Sequence, residues 1–304
     1  MRRVRCGQFV RQYGPNIHMH KQGTPTMGGV VFLLVLCASF FLYGLSSAHA
    51  KFALLGTLLL GGVGLVDDVL KVLHRDSLGL KARYKFALQA LASVFLLALL
   101  PERSVHVLQL PGTLATVELH GVGSWLWLFF VFSGSTHAFN LTDGLDGLAA
   151  GVGLIALLAL GAIAAWQGQH DVLLLVVTLA AVLLAFLWFN RHPAQLFMGD
   201  TGSFALGGFV AAVTFFTGLE LYLLLFALVP VVETLSVALQ LGYYRLTQRR
   251  IFKIAPLHHH FEAAKGVDYR YLLPTVEWPE TKITWMLWGV SSLGVVVGLL
   301  LYAW

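Results

Sequence analysis

The chain has 304 residues, of which 58% are apolar and only 12% charged, with a mean hydropathy of +0.77. A soluble domain carries roughly a quarter charged residues, so an ordinary water-soluble fold is excluded and an all-α polytopic membrane protein is expected. The formal charge of +5 requires no nucleic acid, because loop lysines and arginines facing an anionic leaflet account for it.

Residues 1–26 carry Arg2, Arg3, Arg5, Arg11 and Lys21 without an apolar run long enough for a signal peptide. Apolar runs then predict nine membrane helices near 27–45, 52–66, 84–100, 121–139, 147–166, 171–189, 201–218, 221–241 and 283–304. Several fall short of the roughly 20 residues an untilted span needs, so their ends are set only to within a few residues. Residues 105–119 alternate apolar and polar side chains around Pro111-Gly112, which predicts a small external β-hairpin. Of the 20 Lys and Arg, only Lys51 and Arg103 fall on the far side of this threading. The positive-inside rule therefore makes the N-terminus cytoplasmic and the C-terminus external. Cytoplasmic loops are expected near 67–83, 140–146, 190–200 and 242–282. Cys6 lies in the basic segment and Cys37 inside the first span, so no disulfide joins them. No internal repeat is visible, and residues 1–304 read as a single integral-membrane domain.

Nearly all the acidic motifs lie on the cytoplasmic side. Asp67-Asp68 is expected at the C-terminal end of the second span, where the helix dipole already presents negative charge. Lys71 can soften that repulsion; otherwise a cation offsets it, or one carboxylate keeps a raised pKa and acts as a base. Asn140-Leu-Thr-Asp143-Gly144-Leu145-Asp146-Gly147 is a polar turn with two carboxylates and no basic residue. One of them can cap the helix that follows, but a cap needs only one.

Asn190 through Ser203 joins two further spans and contains Phe197, Asp200 and two glycines. Asp200 either caps the next helix or holds Mg²⁺ while nearby amides face phosphate oxygens. The Gly-Lys-Ser/Thr signature of a Walker loop is absent. His258-His259-His260 lies in the long basic loop beside Glu262. Three consecutive histidines do not converge on one metal, so a phosphate- or sugar-binding surface is the better reading. Lys21 opens Gly23-Thr-Pro-Thr-Met-Gly28-Gly29, and is either a topology determinant or a phosphate partner. Glu233 falls inside a span after Pro230, where a carboxylate usually faces protein or a cavity.

Taken together and in order, these segments resemble the phospho-N-acetylmuramoyl-pentapeptide transferase family, over a match running from about Gly7 to the last span. The resemblance implies transfer of phospho-N-acetylmuramoyl-pentapeptide from UDP-N-acetylmuramoyl-pentapeptide to undecaprenyl phosphate, with release of UMP and a requirement for Mg²⁺. It implies that Asp200 ligates the metal with Asn140 as a second contact. Asp67 and Asp68 would be the catalytic pair, one of them deprotonating the lipid phosphate. Lys21, Asn140, Asp143, Gly144, Leu145, Asp146, Asn190 and Phe197 match positions expected around the nucleotide and its phosphates. Gln240, His258, His259 and His260 would close that pocket.

The resemblance further implies a bacterial inner-membrane location, an active site on the cytoplasmic face, and dimer contacts. Family members usually begin with one more membrane helix, whereas this chain opens at the basic loop that would follow it. Two other functions compete. One is a related polyprenyl-phosphate sugar-1-phosphate transferase with another UDP-sugar donor; the other is a nucleotide-sugar or lipid transporter. A transporter would place its polar groups near the bilayer midplane, whereas here they gather at helix ends.

Overall fold

The computed structural model describes residues 21, 23–74, 79–99, 105–263 and 269–304. The basic segment before Lys21, with Cys6, lies outside them, as do Arg75, Arg103 and Lys265. The first seven predicted apolar runs each form a helix: α1 Gly29–Leu42, α2 Ala48–His74, α3 Ala82–Ala98, α4 Val122–Thr142, α5 Leu148–Trp166, α6 His170–Asn190 and α7 Gly199–Thr217. A 3₁₀ turn at Glu220–Tyr222 leads into α8 Leu223–Phe226, followed by α9 Leu228–Thr247, the short α10 Leu257–Phe261 and α11 Glu280–Ala303. The predicted hairpin is present as antiparallel β1 Val105–Gln109 and β2 Thr116–His120, with Val107 opposite Glu118.

Among the described residues four helices, α2, α5, α6 and α11, are long and apolar enough to cross a membrane. The predicted run at 221–241 is broken: Glu220–Phe226 and Leu228–Thr247 meet at 91°, and together they make a fifth candidate. Pro230 falls in the first turn of α9, where the missing N–H costs nothing. The molecule is thus a multi-pass membrane protein.

The core forms around α7. Every residue from Asp200 to Phe215 is buried, as expected of a helix that is apolar on all sides. Small residues bring its neighbours close, the usual device where lipid rather than water surrounds the bundle. A Cβ on Gly64 of α2 would overlap the Asp200 carbonyl, and one on Gly29 of α1 would overlap the Gly202 amide. Gly64 sits one turn before Asp67 and Asp68, so this approach aims their face of α2 at the start of α7.

The two ends of α7 are chemically distinct. At its C-terminal end, Gln109 of β1 donates its N–H to Gly218 O at 2.8 Å. At its N-terminal end lie Asp67, Asp68, Asp200 and Asn140. Nineteen helical residues separate them, about 28 Å at 1.5 Å per residue. The hairpin and the acidic cluster therefore occupy opposite ends of the bundle.

Candidate active site

Asp67 and Asp68 sit inside α2, not at its end, because the helix continues two turns further to His74. Lys71 and His74 in that last turn suit the helix dipole. Although adjacent, the two carboxylates do different things. Asp68 accepts the N–H of Asp200 at 3.0 Å, and both the N–H and the hydroxyl of Thr201 at 2.8 and 2.7 Å. It therefore caps the first turn of α7 from another helix, supplying the acceptor that helix start lacks. Gly199, at φ +71° and against the Asp68 carboxylate, permits the approach. Asp200 is accordingly not a cap of its own helix, and its side chain is left for other partners.

Those partners are lysines. Lys71 Nζ lies 2.6 Å from Asp67 Oδ2 and 2.9 Å from Asp200 Oδ1. Lys85, in the first turn of α3, lies 3.1 Å from Asp67 Oδ1 and 2.7 Å from Asp200 Oδ2. Each ammonium thus bridges the same two carboxylates. Sequence reasoning treated Lys71 only as a softener of charge and passed over Lys85. The available signals were the i,i+4 spacing of Lys71 from Asp67 and a lysine opening an otherwise apolar helix.

Asn140, in the last turn of α4, donates Nδ2 to Asp200 Oδ1 at 3.1 Å and to Ser203 Oγ at 3.0 Å. Asn140, expected as a second contact to the metal, meets Asp200 through its nitrogen. In this arrangement Asn140 orients the carboxylate instead of offering an oxygen to a shared metal.

Asp67, Asp68 and Asp200 can each present one oxygen within 4.8 Å of the others. Asp67 Oδ2 is buried and faces the Lys71 ammonium at 2.6 Å. An all-carboxylate donor set of this kind fits a hard divalent cation such as Mg²⁺. Asp67 and Asp200, which face the two lysines, would be its donors, since both Asp68 oxygens accept hydrogen bonds from the start of α7.

The turn after α4 is built separately. Asp146 does not cap α5. Its Oδ1 lies 2.7 Å from Lys21 Nζ, and its Oδ2 accepts Ala194 N–H and faces His192 Nδ1, both at 3.0 Å. Glu280, the first residue of α11, takes Lys21 Nζ at 2.5 Å and the Asp146 N–H at 2.6 Å. Burial alone would lower the Lys21 pKa, but the charges of Glu280 and Asp146 outweigh it and hold it above the ordinary 10.5. Burial would likewise raise Asp146, yet Lys21, Ala194 and His192 bring its carboxyl below 3.8. Asp143 is the opposite case. Burial first, then the negative charges of Asp200 and Asp68, push it well above 3.8, and it forms no side-chain hydrogen bond or ion pair among the described residues.

Asn190 crosslinks two loops, accepting Gly147 N–H at 3.1 Å and donating to Leu196 O at 2.9 Å. Phe197 is fastened to the Lys21–Gly29 segment, donating its N–H to Pro25 O and accepting that of Gly28, both at 2.9 Å. Leu145 is buried in the core. Gln240 accepts the N–H groups of Ile251 and Phe252 at 2.9 and 3.1 Å, so it anchors the long loop.

The three histidines separate. His258 lies fully buried against Gly144, where a Cβ would overlap its Nε2. Glu233 accepts the His258 N–H at 3.1 Å and lies 3.3 Å from its Nδ1, which gives that carboxylate its protein partner. His259 Nδ1 pairs with Glu262 at 2.8 Å, while burial and the neighbouring His258 lower its pKa. His260 is turned into the loop's own scaffold, accepting Lys253 N–H at 3.0 Å. His258 and Gly144 therefore meet the acidic turn, whereas His260 and Gln240 support the loop that carries His258.

The profile of glycosyl transferase family 4 matches residues 50–218. Phospho-N-acetylmuramoyl-pentapeptide-transferase signature 1 matches residues 21–33. These segments contain Lys21, both aspartates of α2, the Asn140–Gly147 turn and Asp200. The chain is 41% identical over 310 residues to the phospho-N-acetylmuramoyl-pentapeptide-transferase of Geobacillus kaustophilus, covering 100% of this chain and 91% of that protein. It is 45% identical over 269 residues to the Thermotoga petrophila protein of the same name, covering 86% and 83%. Against that of Rubrobacter xylanophilus it is 42% identical over 304 residues, covering 97% and 88%.

Proposed function

The chain belongs to the phospho-N-acetylmuramoyl-pentapeptide-transferase family, and from that premise we propose how its site performs the transfer. The protein moves phospho-N-acetylmuramoyl-pentapeptide from its UDP conjugate to a polyprenyl phosphate, undecaprenyl phosphate, releasing UMP and forming the first lipid-linked intermediate of peptidoglycan synthesis. The observation that carries this mechanism is the meeting of Asp67 and Asp200 across two bridging lysines.

Phosphoryl transfer asks mainly for positioning and charge neutralisation. Lys71 and Lys85 supply fixed positive charge where an anionic lipid phosphate must approach an anionic pyrophosphate. A phosphomonoester has its second pKa near 6, so at pH 7 it is largely dianionic. Asp67, which faces the two lysines instead of the backbone of α7, takes up the proton of the remaining monoanion. Asp68 acts by holding the first turn of α7, and with it Asp200, in register. Mg²⁺, held by Asp200 with Asp67 as its neighbour, would neutralise charge on the transferring phosphoryl group. Asp143, Gly144, Asp146 and His258 line the side on which the nucleotide sits.

The clustering of basic residues supports a nine-span threading with this site at the cytoplasmic face of the bacterial inner membrane. There a water-soluble nucleotide enters while the polyprenyl tail stays in the bilayer. Purified protein incubated with both substrates should release UMP only when Mg²⁺ is present. UDP-N-acetylglucosamine as the sole donor should yield none; equal turnover with it would overturn the assignment of donor.

A further inference from the structure

We propose that Glu280, with Thr284, is a positioning residue that sets the donor-binding turn of Asp143–Asp146; the inference rests on that turn's contacting the nucleotide donor. The Glu280 carboxylate takes the Asp146 N–H at 2.6 Å, and one helical turn on Thr284 donates its hydroxyl to Asp146 O at 3.3 Å. Both backbone polar groups of one residue in the turn are thus held by one face of α11. A further turn along that face, Trp288 fills the space beside Gly151, where a Cβ would overlap the indole. The helix therefore cannot slide along α5 without losing all three contacts.

Lys21 belongs to the same device. Its ammonium is buried between Asp146 at 2.7 Å and Glu280 at 2.5 Å, so two carboxylates already satisfy its charge. Such an amine is a poor free phosphate ligand. It acts by tying the segment before α1 to the turn and to α11. His192, 3.0 Å from Asp146 and 3.6 Å from Glu280, closes the fourth side. None of these groups lies among the bridging lysines and carboxylates of α2, α3 and α7. The arrangement therefore governs how the donor is held, not how the phosphoryl group moves.

The test compares Glu280→Gln, Glu280→Ala, Thr284→Val and Thr284→Ser with the wild type, all purified in detergent. Losing a hydrogen bond to a charged group costs roughly tenfold or more in binding. The KM for the UDP-linked donor should therefore rise about tenfold in Glu280→Ala. It should rise less in Glu280→Gln, which keeps an acceptor for Asp146, while kcat and the KM for the lipid acceptor change little. Thr284→Val should shift the donor KM the same way, and Thr284→Ser should restore it. Combining Lys21→Met with Glu280→Ala should add little to either single change.

Hydrogen exchange across residues 143–147, read in every variant, requires no turnover. Faster exchange there in Glu280→Ala, or in Thr284→Val should the former not fold, is expected; unchanged exchange overturns the role. A fall in kcat with donor KM unchanged overturns it as well. A wild type that releases no UMP refutes the transferase reading instead, while exchange still decides the role of Glu280.

Discussion

The Asp68 carboxylate accepts the backbone N–H of Asp200 at 3.0 Å, across 132 residues of chain. That bond makes one member of an adjacent acidic pair a helix cap and leaves the other facing two lysines. The pair should therefore divide under mutation.

Asp68→Ala removes an acceptor for three donors at the buried start of α7. Loss of a cap or of a charged hydrogen bond costs about 1–3 kcal/mol, so the thermal midpoint in detergent should fall clearly. Asp67→Asn leaves Asp68 and Asp200 against Lys71 and Lys85, a balanced set. Its midpoint should hold or rise while kcat falls by two orders of magnitude or more, the trade-off common at catalytic sites. Equal destabilisation by the two changes would remove the distinction drawn between them.

Asp200→Asn should abolish Mg²⁺-dependent UMP release while the protein still folds, because Asn140 and Ser203 continue to hold position 200. Near-normal turnover in that variant would refute Asp200 as the metal ligand. A metal titration monitored by UMP release gives the answer directly.

Lys71→Met and Lys85→Met each remove one of two ammonium bridges between Asp67 and Asp200. Loss of a preorganised charge at a phosphoryl-transfer site typically costs about 10²–10³ in rate. Each variant should show that loss in kcat, with a lesser effect on donor KM. If only KM rose, the lysines would be binding residues and not part of the reacting centre.

Gly64→Ala places a methyl group into the Asp200 carbonyl. Overpacking of this kind costs about 1–3 kcal/mol, and here it also pushes α2 away from α7. Stability and activity should fall together. Gly62→Ala, in open space on the same helix, is the control and should match the wild type.

The Lys21–Asp146 pair makes a prediction in pH. Lys21 titrates above its ordinary 10.5, so its contribution is present below 10.5 and is lost as pH rises through the raised value. Asp146 titrates below 3.8, so its contribution is present above 3.8 and is lost as pH falls through the lowered value. The stability difference between wild type and Lys21→Met should be flat between those limits and shrink beyond both. A difference that changed steadily between pH 5 and 9 would contradict the pairing.

Much of the helical architecture is legible in the chain alone, because an apolar run of this length has few folded alternatives in lipid. The hairpin at Val105–His120 followed from its alternation, and the Asn140–Gly147 turn and Asp200 were recognisable as helix-end segments. Local pattern could not show that the run after Gly218 bends at Ala227, nor that α2 carries Asp67 two turns short of its end. The histidine run looked like one surface, yet backbone geometry sends His258 to Gly144 and His260 to Lys253.

What composition and spacing determined by themselves is the class of molecule and the identity of its acidic groups, since both depend on residues near one another in sequence. Which of those groups is free to react was decided by contacts between distant segments. Asp68 is committed only because Gly64 lets α2 touch α7. Lys85 becomes a partner only where α3 meets the same point, and Glu280 reaches Lys21 across 259 residues. A charge's role depends on what surrounds it within a few ångströms, and in a bundle those neighbours come from other helices.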